Sequence, residues 1–120
     1  MKTKQENIIW DKSYNFALRI VKLARRLNTE QLEYVLSKQI LKSGTSIGAN
    51  IEEAIGGQSK KDFLAKVSIA YKEARETRYW LMLLKDAEIL EEKLAKSLQK
   101  DCDDIIRILA KIMMTTKQSL

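Results

Sequence analysis

The stretch FLAKVSIAYKEARETRYWLMLL, from Phe63 to Leu84, decides the fold. Phe63, Val67, Ala70, Ala74, Thr77, Leu81 and Leu84 recur at steps of four and three. On a backbone that turns once every 3.6 residues, that spacing keeps one seam on one side, where it faces a partner helix. Trp80 and Leu83 widen the apolar face toward its end, which predicts contact with more than one neighbour. Just before it, Ser59-Lys60-Lys61-Asp62 has the spacing of a capping box, a serine N-cap with a carboxylate three residues on. The expected helix spans 60–86. The pattern then weakens through Asp86–Leu90, where no glycine or proline marks the turn.

Working outward, Leu32, Val35, Leu36, Ile40, Ile47, Ile51 and Ala54 recur at three, four and seven, predicting a helix over 30–55. Thr29 is its expected N-cap, and Gly56-Gly57 lies just past its end. Upstream, Trp10, Tyr14, Ala17, Leu18, Val21, Ala24 and Leu27 share a broad face over 9–27. Downstream, Leu94, Leu98, Cys102, Ile105, Leu109 and Ile112 share one over 91–115, with Ile106 and Met113 beside it. Four amphipathic helices with short connections and no strand pattern predict an all-α, antiparallel up-and-down four-helix bundle, a single domain over 1–120.

Composition agrees. The 120 residues include no proline, four glycines and 7% aromatics, a poor basis for a β-sandwich or barrel. The longest apolar run, Tyr79 to Leu84, is far too short to cross a bilayer, and the N-terminal residues lack the apolar stretch of a signal peptide. One thiol, Cys102, forms no intrachain disulfide and suits a reducing cytoplasm. The expectation is a soluble cytoplasmic protein with no membrane partner. Histidine is absent, which removes Ser–His–Asp and Cys–His nucleophile systems and the Glu-x-x-His pairs of di-iron bundles. Structural zinc and glycine-rich phosphate loops also lack their residues. No catalytic, metal or cofactor site is expected, and the protein is read as a non-enzyme.

The charge is +6, and four of those net charges fall within residues 10–28, where Lys12, Arg19, Lys22, Arg25 and Arg26 face only Asp11. Lys12, Arg19, Lys22 and Arg26 share a stripe opposite the apolar face. Such a stripe can neutralise phosphates, or it can simply be a solvated face. Arg75 and Arg78, with Tyr71 and Tyr79, form a second mixed surface, suited to stacking, to a protein interface or to an ion pair with Glu52 or Glu53. Gly44 and Gly48, one turn apart inside a helix, predict either close packing of another backbone or a kink. Glu52-Glu53, Glu91-Glu92 and Asp101, Asp103 and Asp104 read as surface charge, since neighbouring helical residues point apart. Cys102 falls on the apolar face as an inert core residue.

Several blocks occur together in order: Leu36-Ser37-Lys38-Gln39-Ile40; Ser46-Ile47-Gly48-Ala49-Asn50-Ile51-Glu52-Glu53-Ala54; Ser59 with Asp62-Phe63; Ile69-Ala70; Lys72-Glu73-Ala74-Arg75-Glu76; and Tyr79-Trp80-Leu81. Over roughly residues 8–115 the chain thereby resembles the bacterial four-helix-bundle family of 23S rRNA intervening-sequence proteins. Many members carry proline in place of Gly48 and glycine in place of Ala54. The resemblance implies an antiparallel four-helix subunit assembling into a ring, a pentamer in known members, with no catalytic residues. The accessory proteins of diversity-generating retroelements are similar, and their basic pentamers bind nucleic acid and a reverse transcriptase. The expected function is therefore a ring-forming, non-enzymatic protein binding structured RNA or other nucleic acid through Lys12, Arg19, Lys22 and Arg26, with Arg75 and Arg78. Its expected partners are further copies of itself, RNA or DNA, and a nucleic-acid enzyme. The competing reading is a protein-interaction scaffold or adaptor that does not touch nucleic acid.

Overall fold

A computed structural model describes residues 3–120. It contains four α-helices: α1 (Lys4–Glu30), α2 (Val35–Ile55), α3 (Lys60–Asp86) and α4 (Glu92–Gln118). Each helix packs on its chain neighbours, α4 closes back onto α1, and the backbones of the diagonal pairs stay more than 8 Å apart between Cα atoms. The result is an antiparallel up-and-down four-helix bundle, 46 Å long and about 20 Å across. The α1–α4 seam is the loosest of the four.

Local signals set most helix ends. Thr3 and Glu6 form a capping box at the start of α1, each side chain bonding the other residue's backbone N–H. Its first turn lies upstream of the expected start at residue 9, because the polar opening residues are held by this cap rather than by burial. Ser59 caps α3 by accepting from the Asp62 N–H at 3.1 Å. This is the serine half of the expected box, and α3 has the expected span.

The α1–α2 connection departs from expectation. Thr29 does not cap α2: it lies inside α1, where its hydroxyl donates to the Arg25 carbonyl at 2.9 Å. The chain turns at Leu32, whose φ of 55° is left-handed. Glu33 then accepts from the Leu36 N–H at 2.7 Å, so α2 starts at Val35 and not at residue 30. Leu32 and Val35, read as members of the buried stripe, are instead 66% and 71% exposed.

The core face of α1 also differs. Ile9, Phe16, Ile20, Leu23, Ala24 and Leu27 are buried, whereas Tyr14 and Leu18 stand in solvent. Helix α1 carries two apolar stripes, one turned about a third of the way round from the other. The bundle buries the stripe that holds Phe16 and Ile20. Of the expected face, Ala24 and Leu27 belong to the buried stripe, whereas Trp10, Tyr14, Ala17, Leu18 and Val21 form the second one.

Gly44 settles the choice between packing and a kink. Helix α2 is continuous through both glycines, and a methyl group at Gly44 would lie 2.8 Å from Ile20 Cγ2. The missing side chain lets α1 approach closely. Deeper in the core, Thr77 of α3 has the Ser43 hydroxyl of α2 (2.9 Å) and the Glu73 carbonyl (2.8 Å) within donating distance. Cys102 is fully buried, with Sγ 3.2 Å from the Ala74 carbonyl. Burial pushes its thiol up to about 12, so it holds little thiolate near neutral pH.

Candidate nucleic-acid interface

The bundle places the six expected cations on the two flanks of α4 and on the outer side of α1. Arg19 reaches across the α1–α4 seam to Asp101 (2.5 Å) and to Ser97 Oγ (3.0 Å). On the far side of α4, Arg78 of α3 pairs with Asp103 at 3.6 Å. Arg26 meets Glu30 one turn on in its own helix, at 3.4 Å. Arg75 lies 5.8 Å from the centre of the Tyr71 ring and 3.4 Å from its hydroxyl. Lys12 and Lys22 are exposed and make no ion pair among the described residues.

The four residues of the α1 stripe therefore do not lie together opposite the core. Arg19 is tied down beside α4, and Lys22 stands free on the outside. Nor does Arg78 find its partner on α2. Glu53 pairs with Lys66 at 2.8 Å and Glu52 accepts from Trp10 Nε1 at 3.0 Å, because α2 meets the other flank of α3. The three aspartates of α4 diverge as helical geometry requires. Asp101 goes to Arg19, Asp103 to Arg78, and Asp104 to Lys100 and Arg107. Among the described residues no group of acidic, Cys or His side chains converges to hold a metal. No helix there is long and apolar enough to cross a membrane.

Cavities run along the loose α1–α4 seam. One of about 210 Å³ is lined by Lys12, Asn15, Phe16, Arg19, Asp101 and Asp104. Its mixed charge suits a hydrated seam more than an anion site. Across the molecule, on α3, burial and the neighbouring Glu76 raise the Glu73 carboxyl, while Lys42 of α2 opposes the shift.

Two apolar surfaces stand out in the structure, and the sequence pointed only to part of the second, through Tyr79 and Leu83. On the outer α1–α2 face, Trp10 and Tyr14 stack with ring centres 5.0 Å apart. They border a groove of about 340 Å³ that Ala17, Thr45, Gly48 and Ala49 complete. Leu18 and Leu41 are exposed on the same two helices. The second surface lies on α3, diagonally across the bundle from α1, where Ile69, Tyr79, Met82 and Leu83 are exposed. The available signal was an α1 and an α3 that are apolar on more than one side, a surplus that an isolated bundle cannot bury.

The model of one family, 23S rRNA-intervening sequence protein, matches residues 5–111 of the chain. Among solved structures, the chain is similar to a protein of unknown function from the S23 ribosomal protein family of Bacteroides thetaiotaomicron. The two are 49% identical with a TM-score of 0.90, and the match covers 92% of this chain and 98% of the other. Among curated proteins, none matches.

Proposed function

The chain belongs to the 23S rRNA-intervening sequence protein family, and from that premise we propose a ring of identical, non-catalytic subunits that binds RNA or another nucleic acid through surface cations. The observation that carries this reading is the surface itself. It holds a net charge of +6, lysines at positions 12 and 22 that make no ion pair among the described residues, and two unlike apolar faces. Unlike faces on different sides of one subunit associate head to tail, and a head-to-tail contact closes into a ring when its rotation allows. The outer α1–α2 groove with its Trp10–Tyr14 stack supplies one face, and Ile69, Tyr79 and Leu83 of α3 supply the other. Repeating the basic surface around a ring multiplies the phosphate contacts available to one RNA. A pentamer is the number the family resemblance implies, and cytoplasmic RNA fits a chain whose single cysteine is a buried thiol.

One observation favours the competing scaffold reading. Arg19, Arg26 and Arg78 already have carboxylate partners, and Arg75 has Tyr71. In that case Arg19 and Arg78 hold helices together, Arg26 and Arg75 are occupied within their own helices, and the ring serves as an adaptor for a nucleic-acid enzyme.

Fluorescence anisotropy of a labelled structured RNA, titrated with the protein from low to physiological salt, separates the two. The binding reading expects a steep fall of log affinity with log salt, weakened by Lys12→Glu and Lys22→Glu in the same proportion for every RNA sequence. A folded protein that leaves the anisotropy flat at low salt would establish the scaffold reading.

A further inference from the structure

The corner where α1 meets α2 carries side chains that the bundle does not use. Leu32, Tyr34 and Val35 are 66%, 60% and 71% exposed, and Leu32 also sits at a left-handed φ of 55°. A left-handed leucine costs roughly 1–2 kcal/mol, and here no burial offsets it. Beside these residues Lys22, Arg25 and Lys38 are exposed, and their side chains make no ion pair among the described residues. Both nearby carboxylates are engaged, Glu30 with Arg26 and Glu33 with the Leu36 N–H.

The geometry brings these groups together. A 2.5 Å bond between Ser37 and Asn28 pins α2 to α1 at this level. Arg25 lies one turn before Asn28, Lys38 directly follows Ser37, and Tyr34 is one turn before Lys38. At 1.5 Å per residue, Arg25, Lys38 and Tyr34 lie within about 10 Å of one another along the bundle axis, with Lys22 about one turn further down α1 than Arg25. The Tyr34 ring stacks on no other ring among the described residues. At the same end of the molecule the α3–α4 corner has the opposite character, with Asp86, Glu88, Glu91 and Glu92 around it and Lys85 as the one cation in that lining.

We propose that this corner binds a single-stranded segment of nucleic acid, with an unpaired base stacked on Tyr34 between Leu32 and Val35 and its phosphates on Arg25, Lys38 and Lys22. This rests on the nucleic-acid reading above and moves its contact away from the paired arginines. An open aromatic ring takes a splayed base, which a duplex keeps inside its stack, and free cations one turn away take the flanking phosphates.

The test is anisotropy of a 5′-labelled oligouridylate and of a duplex RNA, with wild-type protein and exposed-site variants whose folding is checked by thermal melting. Wild type binds the single strand more tightly than the duplex. Tyr34→Ala weakens that binding about tenfold, and Tyr34→Phe restores it. The Arg25→Glu/Lys38→Glu pair lowers the slope of log affinity against log salt by roughly 0.7 for each lost phosphate contact. The proposal is overturned if Tyr34→Ala and the double reversal both bind oligouridylate as wild type does. If Lys12→Glu/Arg75→Glu then loses affinity, the nucleic-acid function stands and only the corner falls. If wild type binds neither RNA at low salt, both readings fall. A smaller particle mass for the double reversal, at unchanged RNA affinity, assigns the corner to the acidic corner of a second copy and likewise overturns the proposal.

Discussion

Gly44 and Gly48 sit one turn apart on α2, yet a methyl group has opposite effects at the two. At Gly44 it meets Ile20 Cγ2 at 2.8 Å, and Ile20 is fully buried and has no room to retreat. Overpacking there outweighs the gain in helix propensity, so Gly44→Ala should destabilise the protein by about 1–2 kcal/mol. At Gly48 the nearest atom is Ser13 Oγ at 3.5 Å, an ordinary contact. Gly48→Ala should therefore stabilise by about 0.5–1 kcal/mol. Denaturant unfolding of the two variants beside wild type reads both signs. Cys102 gives a second residue-scale expectation. Its folded thiol stands near 12 against an ordinary 9.0, raised chiefly by burial. The unfolded chain therefore loses its thiol proton first as pH rises. The contribution is intact below pH 9 and is lost progressively toward pH 12. Cys102→Ala should flatten the stability profile in that window. The native thiol should react with a disulfide reagent at neutral pH only as fast as the protein opens.

At the scale of an element, α4 is the helix held by charge as well as by packing. Its inner face, Leu98, Cys102, Ile105 and Leu109, is buried, and Arg19–Asp101 and Arg78–Asp103 strap its two flanks to α1 and α3. The side chains of the Arg19 pair are 35% and 42% exposed, so solvent screens much of the attraction. Arg19→Ala should cost no more than about 1 kcal/mol, and the difference from wild type should shrink as salt rises. Amide hydrogen exchange should place the faster opening along α4 and the facing side of α1. A loss spread evenly over all four helices would count against the strap. The same pairing shows why these arginines looked like a ligand site. Acids 82 and 25 positions away along the chain are invisible to helical spacing, so neither Asp101 for Arg19 nor Asp103 for Arg78 could be named until the helices are packed.

At the scale of the molecule, the bundle leaves two apolar faces and one basic corner outside its core. A ring built on the outer α1–α2 groove and the outer face of α3 predicts that Tyr14→Glu and Leu83→Glu each lower the particle mass measured by light scattering, while helicity by circular dichroism is kept. Mixing the two variants should recover some association, because each still carries the face that the other has lost. Equal masses for wild type and both variants would refute these contact faces. Patterning alone exposed the widened apolar face of α3, through Trp80 and Leu83. It could not rank the two stripes of α1, since both satisfy helical periodicity and only neighbouring helices decide which one is covered.

By itself the sequence determined the number of helices, the span of α3, the Ser59 cap and the all-α bundle, because these follow from periodicity and from contacts within three or four residues. It also carried family membership, through blocks such as Ser46–Ala54 and Phe63–Leu81. Tertiary structure decided which face of α1 is core, that Gly44 admits Ile20, and that the chain turns at Leu32 with α2 starting at Val35. It likewise decided which cations remain free: among the described residues Lys22, Arg25 and Lys38 make no ion pair, while Arg19 and Arg78 are consumed by α4. The physical reason is common to all of them. Burial and ion pairing depend on residues far apart in the chain, and only packing brings those within reach.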